Sequence, residues 1–271
     1  EGAGGSDKQI IPYNTIGAYC CNNLASKVVS TLFPSGRPAF KASQDKTTMQ
    51  DLLALPEEER VRVEGVIRQG LSQLEQDVTE AFEEDGDRAR MHTAALRLIV
   101  GGNHGFQFYD DGTIRGIPFE RYVLSRDPQG NLLEWAVCDN LDWETLPEDV
   151  RTAYLASGRS EPERPSNGKR PIKVYTHGIL RGGKWHIRQE TMGMDVEGSH
   201  ATYKKDASPY LFLPWMLLEG EDYGRGYAEF YEGDLLTAES LTKTVTEGSA
   251  ALARFIILVN AMGQTNKKAL S

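Results

Sequence analysis

Five histidines (His92, His104, His177, His186 and His200) are the first candidates for metal or acid–base chemistry. None stands in a His-Glu-x-x-His pair, and Cys20, Cys21 and Cys138 form no Cys-x-x-Cys. His177 and His186 flank the turn signal Arg181-Gly182-Gly183, so they could approach across a hairpin. A hydrolase reading would have to rest on them or on carboxylates that nothing singles out. Gly101-Gly102-Asn103-His104-Gly105 is rich enough in glycine to suggest a phosphate loop. It follows a helical stretch and precedes a strand, whereas a phosphate-cradling loop leaves a strand and opens a helix. Gly224-Arg225-Gly226 lacks the further glycine of a dinucleotide fingerprint, and no Gly-x-Ser-x-Gly elbow is present. No enzyme is expected, with no catalytic residue, cofactor or metal site.

What remains is charge in a pattern. Glu219, Glu221, Asp222, Glu229, Glu232 and Asp234 surround a single cation, Arg225. Tyr223-Gly224-Arg225-Gly226 turns the chain, and a helix then runs from Tyr227 to about Glu247. Tyr227, Phe230, Tyr231, Leu235, Ala238, Leu241 and Val245 recur at helical spacing on one face. Glu229, Glu232, Leu236, Glu239 and Lys243 make the opposite stripe. Lys267-Lys268 is a small basic cluster further on.

The elements that position these residues mix helix and strand. Thr15–Phe33 reads as a helix with Ile16, Tyr19, Cys20, Leu24, Val28 and Leu32 inward, stopped by Pro34. A second helix spans about Pro56 to Phe82, with Glu57-Glu58-Glu59 in its first turn, where negative charge suits the helix dipole. A third follows Asp85-Gly86 and ends at Gly101-Gly102. The period then shortens: Gly105–Tyr109 and Thr113–Ile117 flank Asp111-Gly112, and Phe119–Arg126 and Leu132–Asp139 flank Asp127–Asn131, as two hairpins of one small sheet. Thr145-Leu146-Pro147-Glu148 fits a capping box opening a short helix that ends near Gly158. Residues 157–171 have loop composition, and a second β module holds Ile172–Leu180, Lys184–Thr191 and the proline-bearing Tyr210–Leu218. Ser249–Val259 is apolar on nearly all sides and is expected to be a buried helix. The fold class is α+β.

Net charge is −9 over 271 residues, so whole-chain attraction to nucleic acid or anionic lipid is not expected. Three cysteines make no disulfide framework and point to a reducing compartment. The longest apolar run, Phe255–Val259, is far shorter than the ~20 residues that cross a bilayer. The chain starts without Met and is expected to be an internal fragment of a longer polypeptide.

Several blocks resemble the portal proteins, or head-to-tail connectors, of short-tailed bacteriophages. They are Asn22-Asn23-Leu24-Ala25-Ser26-Lys27 with Leu32-Phe33-Pro34, then Leu98-Ile99-Val100-Gly101-Gly102-Asn103, then Tyr122-Val123-Leu124-Ser125-Arg126-Asp127 with Gly130-Asn131. Leu146-Pro147-Glu148-Asp149-Val150 and Val174-Tyr175-Thr176-His177 follow. Tyr223-Gly224-Arg225-Gly226-Tyr227 with Gly233-Asp234-Leu235, and Val259-Asn260 with Gly263, complete the order. Cys20-Cys21, the 159–171 loop and the details of 178–207 depart from the family pattern.

The resemblance implies a virion protein at the portal vertex, made in the host cytoplasm, forming a homo-oligomeric ring of about twelve copies. Double-stranded DNA would pass through the ring during packaging and ejection. Terminase, the tail adaptor, the major capsid protein and the scaffolding protein would be its partners, with no membrane. It places residues 1–144 in the wing, 145–158 in a first stem helix and 159–222 in the clip. Residues 223–247 would be a second stem helix, and 248–271 a return to the wing and the start of a channel loop, with the crown outside this chain. Twelve helices side by side at roughly 9–10 Å give a ring about 35 Å across between axes. Removing a helix diameter of about 10 Å leaves a hole of roughly 25 Å, enough for a duplex. A strongly basic lining would grip phosphates, so Glu229, Glu232 and Glu239 are expected at the lumen or a subunit interface. Arg225 is expected to reach a carboxylate of the adjacent subunit, and Lys267 and Lys268 to lie near DNA. The alternatives are another virion or tail adaptor, or an α+β interaction module with no DNA channel.

Overall fold

In the computed structural model, residues 11–53, 56–163 and 170–253 are described. The chain divides into two compact units, one of residues 21–230 and one combining residues 1–20 with 231–271. Helices α1 (Ile16–Leu32), α2 (Lys46–Leu53), α3 (Glu57–Glu84) and α4 (Asp87–Gly101) come first. Strands β1 (Asn103–Phe108), β2 (Ile114–Ile117), β3 (Tyr122–Arg126) and β4 (Leu132–Asp142) follow, then α5 (Glu148–Ala156). Next are β5 (Pro171–Arg181), β6 (Lys184–Thr191), β7 (Met194–Asp195), β8 (Ala201–Lys204) and β9 (Tyr210–Pro214). Helices α6 (Tyr227–Phe230) and α7 (Glu232–Ala253) close the described chain. The α+β class expected from the alternation of periods is what the residues form.

The unit of residues 21–230 holds two antiparallel sheets. One has the order β2-β1-β9, and the other β3-β4-β5-β6-β7 with β8 also on β6. Both hairpin signals are met: Phe108 pairs with Ile114 across Asp111-Gly112, and Gly130 turns the β3–β4 connection with φ 84°. The faces of the two sheets share one core of Ile117, Tyr122, Leu124, Trp135, Val137, Trp185, Ile187, Tyr210 and Phe212. Trp135 lies 4.2 Å from Tyr210 and 5.5 Å from Phe212, ring centre to ring centre. Its cross-strand partner is Gly178, where a Cβ would stand 2.3 Å from the indole, so the glycine is what lets the ring lie flat on β5.

The expected division of this region does not hold. The two hairpins separate into different sheets, and β4, expected in the wing, pairs with β5, expected in the clip, at nine positions from Glu134↔Ile179 to Asp142↔Pro171. Strand β9 returns to pair with β1. Boundaries at 144/145 and 158/159 therefore cut through hydrogen-bonded sheets, because periodicity and turn signals carry no information about which distant strands pair. Helix α5, expected as a first stem helix, is nine residues long, about 13 Å. It buries Val150, Ala153 and Tyr154 with Trp143, Ile172, Val174 and Val196. The capping box also fails: Pro147 takes the cap position without a side-chain bond, and the Thr145 hydroxyl donates to the Asp142 carbonyl.

The ends of α1, α3 and α4 fall where the sequence signals put them, but the buried faces differ. Ala25 and Val29 of α1 are buried with Ala95 and Ile99 of α4, with Cys21, Leu24 and Val28 beside them. The buried face is turned by about one residue from the one expected, because small Ala25 and Ala95 let the helices approach. The bulkier Tyr19 and Leu32 stay exposed. Helix α3 has the expected span yet buries no residue fully. Helix α2 and strands β7 and β8 are short elements with no strong periodic signal of their own.

In the other unit, the expected single helix from Tyr227 is interrupted at Tyr231, after which α7 runs on through Gly248 to Ala253. The break expected at 248 is absent, and Leu252 is 76% exposed rather than buried. Residues 254–259 of that expected buried helix lie outside the described residues, as do Lys267 and Lys268.

Candidate functional site

The end of α4 and the start of α6 meet backbone to backbone. Gly102 stops α4 with φ 76°, its N–H donating to the Leu98 carbonyl at 2.9 Å. A Cβ on Gly102 would lie 2.4 Å from the Gly224 carbonyl oxygen, and one on Gly226 would lie 2.1 Å from the Val100 oxygen. Residues 224–226 can cross α4 this closely because neither side carries a side chain. Asn103 locks the crossing: its Nδ2 donates to the Gly224 carbonyl at 2.6 Å and its Oδ1 accepts from the Gly224 N–H at 2.8 Å. Asn103 is buried, so the pair satisfies two main-chain groups that water cannot reach.

Each remaining member of the stem-entry motif has a partner inside the 21–230 unit. The Tyr223 hydroxyl accepts from the Leu124 N–H at 3.0 Å and its ring meets Phe119 edge-on. The preceding Asp222 accepts from the Arg126 N–H at 2.6 Å. The Arg225 N–H donates to the Met216 carbonyl, and the Trp215 N–H to the Gly102 carbonyl. Tyr227 packs edge-on against Trp215. Tyr223-Gly224-Arg225-Gly226 is thus a socket that joins three distant stretches, around 102, 124 and 215.

Arg225 corrects the expectation of a bond to a neighbouring subunit. Its guanidinium makes two bonds to the Glu221 carboxylate, one of them Nε to Oε2 at 3.1 Å, and lies 3.2 Å from Glu229. Bonding to Glu221 and the charge of both carboxylates raise the arginine pKa, while the Arg225 bond holds the Glu221 carboxyl below its ordinary value. Glu229 is accordingly paired one helical turn from Arg225 within its own chain.

Helix α7, in its own unit, carries Glu232, Asp234, Glu239 and Glu247 against Lys243. Glu239 is not free: its carboxylate accepts from the Tyr13 N–H at 2.7 Å and the Asn14 N–H at 2.8 Å. The Asn14 amide donates to the Thr242 hydroxyl, and the Tyr13 hydroxyl donates to Glu247 at 3.0 Å. That bond to Glu247 and the carboxylate charge raise the tyrosine pKa. Lys243 Nζ sits 6.0 Å over the Tyr13 ring, and a Cβ on Gly17 would press against Leu235. Of the expected acidic stripe, Glu239 clamps the segment before α1, Glu229 holds Arg225, and Glu232 stands exposed in the first turn of α7.

The histidines do not gather. His177 contacts Glu134 at 2.7 Å and His186 lies 3.5 Å from Thr202. His104 is 1% exposed, and burial, with a smaller contribution from Arg97, pushes its pKa down to about 4. Among the described residues, no three His, Cys, Asp or Glu side chains converge as metal ligands, and no helix is long and apolar enough to cross a membrane. Asn103 is the junction residue that sequence reasoning misses. It stands in the glycine-rich 101–105 segment that superficially suggests a phosphate loop, and its partner lies 121 positions away.

The model of the bacteriophage head to tail connecting protein family matches residues 2–270. The chain is 31% identical over 269 residues to the portal protein of Escherichia phage T7, covering 96% of this chain and 48% of that protein. It is 31% identical over 268 residues to the portal protein of Enterobacteria phage T3, with the same coverage. The portal protein of Enterobacteria phage SP6 is 27% identical over 255 residues, 93% of this chain and 47% of that protein. The chain spans about half the length of these relatives.

Proposed function

Because the chain belongs to the bacteriophage head to tail connecting protein family, we propose that it is part of a portal, a ring at one capsid vertex through which double-stranded DNA enters and leaves the head. The observation that carries this reading is family membership along nearly the whole chain, together with a socket built from the blocks that carry the resemblance. The ring is a homo-oligomer of about twelve copies located at the head–tail junction. In this reading the protein is structural: it holds the path for DNA, and a separate motor supplies the energy of packaging.

Helix α7 is the element assigned to the channel wall. Its 22 residues span about 33 Å, close to one turn of duplex. The socket at 224–226 fixes where the preceding chain leaves the sheet-bearing unit. Terminase, tail adaptor, major capsid protein and scaffolding protein would dock on the 21–230 unit and on the parts of the polypeptide beyond this chain. An isolated clip at 159–222 is not part of this proposal, since its strands complete sheets begun earlier. Size-exclusion chromatography with light scattering on the full-length protein tests the assembly: a mass of about twelve subunits supports it, and a monomer or dimer favours the interaction-module alternative.

A further inference from the structure

Helix α7 presents several unlike surfaces, and its own chain already occupies part of them. Leu235, Glu239 and Thr242 share one side, and residues 13–17 cover it through the Glu239 and Thr242 bonds and the Gly17–Leu235 contact. A duplex approaching from that side would meet Tyr13 and Asn14 before α7. A second side carries Leu241, Val245 and Leu252, which are 62%, 67% and 76% exposed in the single chain. Such side chains gain by leaving water, and a water-filled channel offers them nothing. A third side, at spacings of three and four, is Thr237, Ser240 and Thr244, all exposed.

Resting on the channel reading above, we infer that the surface of α7 facing DNA is the hydroxyl stripe Thr237, Ser240 and Thr244, not the acidic residues Glu232 and Glu239. Two of these hydroxyls are already engaged. Thr237 donates to the Gly233 carbonyl at 2.8 Å and Thr244 to the Ser240 carbonyl at 2.9 Å. A threonine bonded back to its own helix keeps lone pairs and a methyl group outward. Phosphate oxygens are acceptors too, so this stripe offers DNA no strong bond and no charge. The face is polar enough to be wetted and too poor in donors to hold the backbone. Passage without adhesion then needs no row of carboxylates, and Glu239 is released for the clamp it makes on Tyr13 and Asn14.

The test uses full-length rings in a cysteine-free background, each with one cysteine introduced as Thr244→Cys, Ser240→Cys, Val245→Cys or Glu232→Cys. Maleimide labelling is compared in empty rings and in rings holding a duplex. The expected result is that Thr244→Cys and Ser240→Cys label in empty rings and lose labelling with DNA, while Glu232→Cys is unchanged by DNA. Val245→Cys is expected to resist labelling in both. Protection of Glu232→Cys with Thr244→Cys unaffected would overturn the inference and restore the acidic lining. Rings that hold DNA without protecting any of the four positions would overturn it while leaving the portal reading intact. Rings that never admit a duplex would overturn both.

Discussion

Asn103 and Gly224, 121 residues apart, exchange two hydrogen bonds as two paired peptide groups would, at 2.6 and 2.8 Å. The side chain thereby acts as a piece of backbone that splices the exit of α4 to the entry of α6.

Removing the splice strands two buried main-chain groups. Asn103→Ala is expected to lower unfolding stability by roughly 2–4 kcal/mol, the cost of leaving a buried donor and acceptor unpaired. A urea unfolding curve reads this as a lower midpoint with an unchanged slope. A midpoint equal to the unmodified protein's would show that the pairing carries no weight.

Glycine substitutions should separate by location. Gly226→Ala brings a methyl group to 2.1 Å from the Val100 oxygen, so backbone must shift and a loss of about 3 kcal/mol or more is expected. Gly70, in the middle of α3, has nothing within 4 Å, and Gly70→Ala should stabilise by about 0.5–1 kcal/mol because alanine restricts the unfolded chain. Thermal melts of both variants check the opposite signs.

His104 should impose an acid limit. Its folded pKa of about 4 lies below the unfolded value of about 6.5, so the unfolded chain binds the extra proton between those values. Stability is full above pH 6.5 and falls as the pH drops toward 4, by about 3 kcal/mol from this group. His104→Gln should remove this part of the pH dependence, measured as the difference between the two stability profiles.

Arg225 commits its charge to Glu221 and Glu229 of its own chain. Rings of full-length Arg225→Ala protein should therefore dissociate at the same salt concentration as the parent rings. Dissociation at markedly lower salt would return Arg225 to the subunit interface.

Helices α1, α3 and α4 and the two hairpins are legible in the sequence because local signals set them: helical spacing, Pro34, Pro56, Gly102 and the Asp-Gly and Gly-Asn turns. The socket is legible only as a cluster of glycines, because what explains Gly102, Gly224 and Gly226 is their contact across more than 120 residues. The same limit explains the failed boundaries, since nothing local announces that β5 will complete the sheet begun by β3 and β4. In the sequence Glu239 is one more solvated acid of a stripe. Its role depends on two backbone N–H groups more than 220 residues earlier.

Electron micrographs of the purified full-length protein test the central claim most directly. A ring of about twelve subunits with a central hole of roughly 25 Å, wide enough for a duplex, is the predicted image. Single particles of one or two subunits, or a closed assembly with no axial hole, would contradict it.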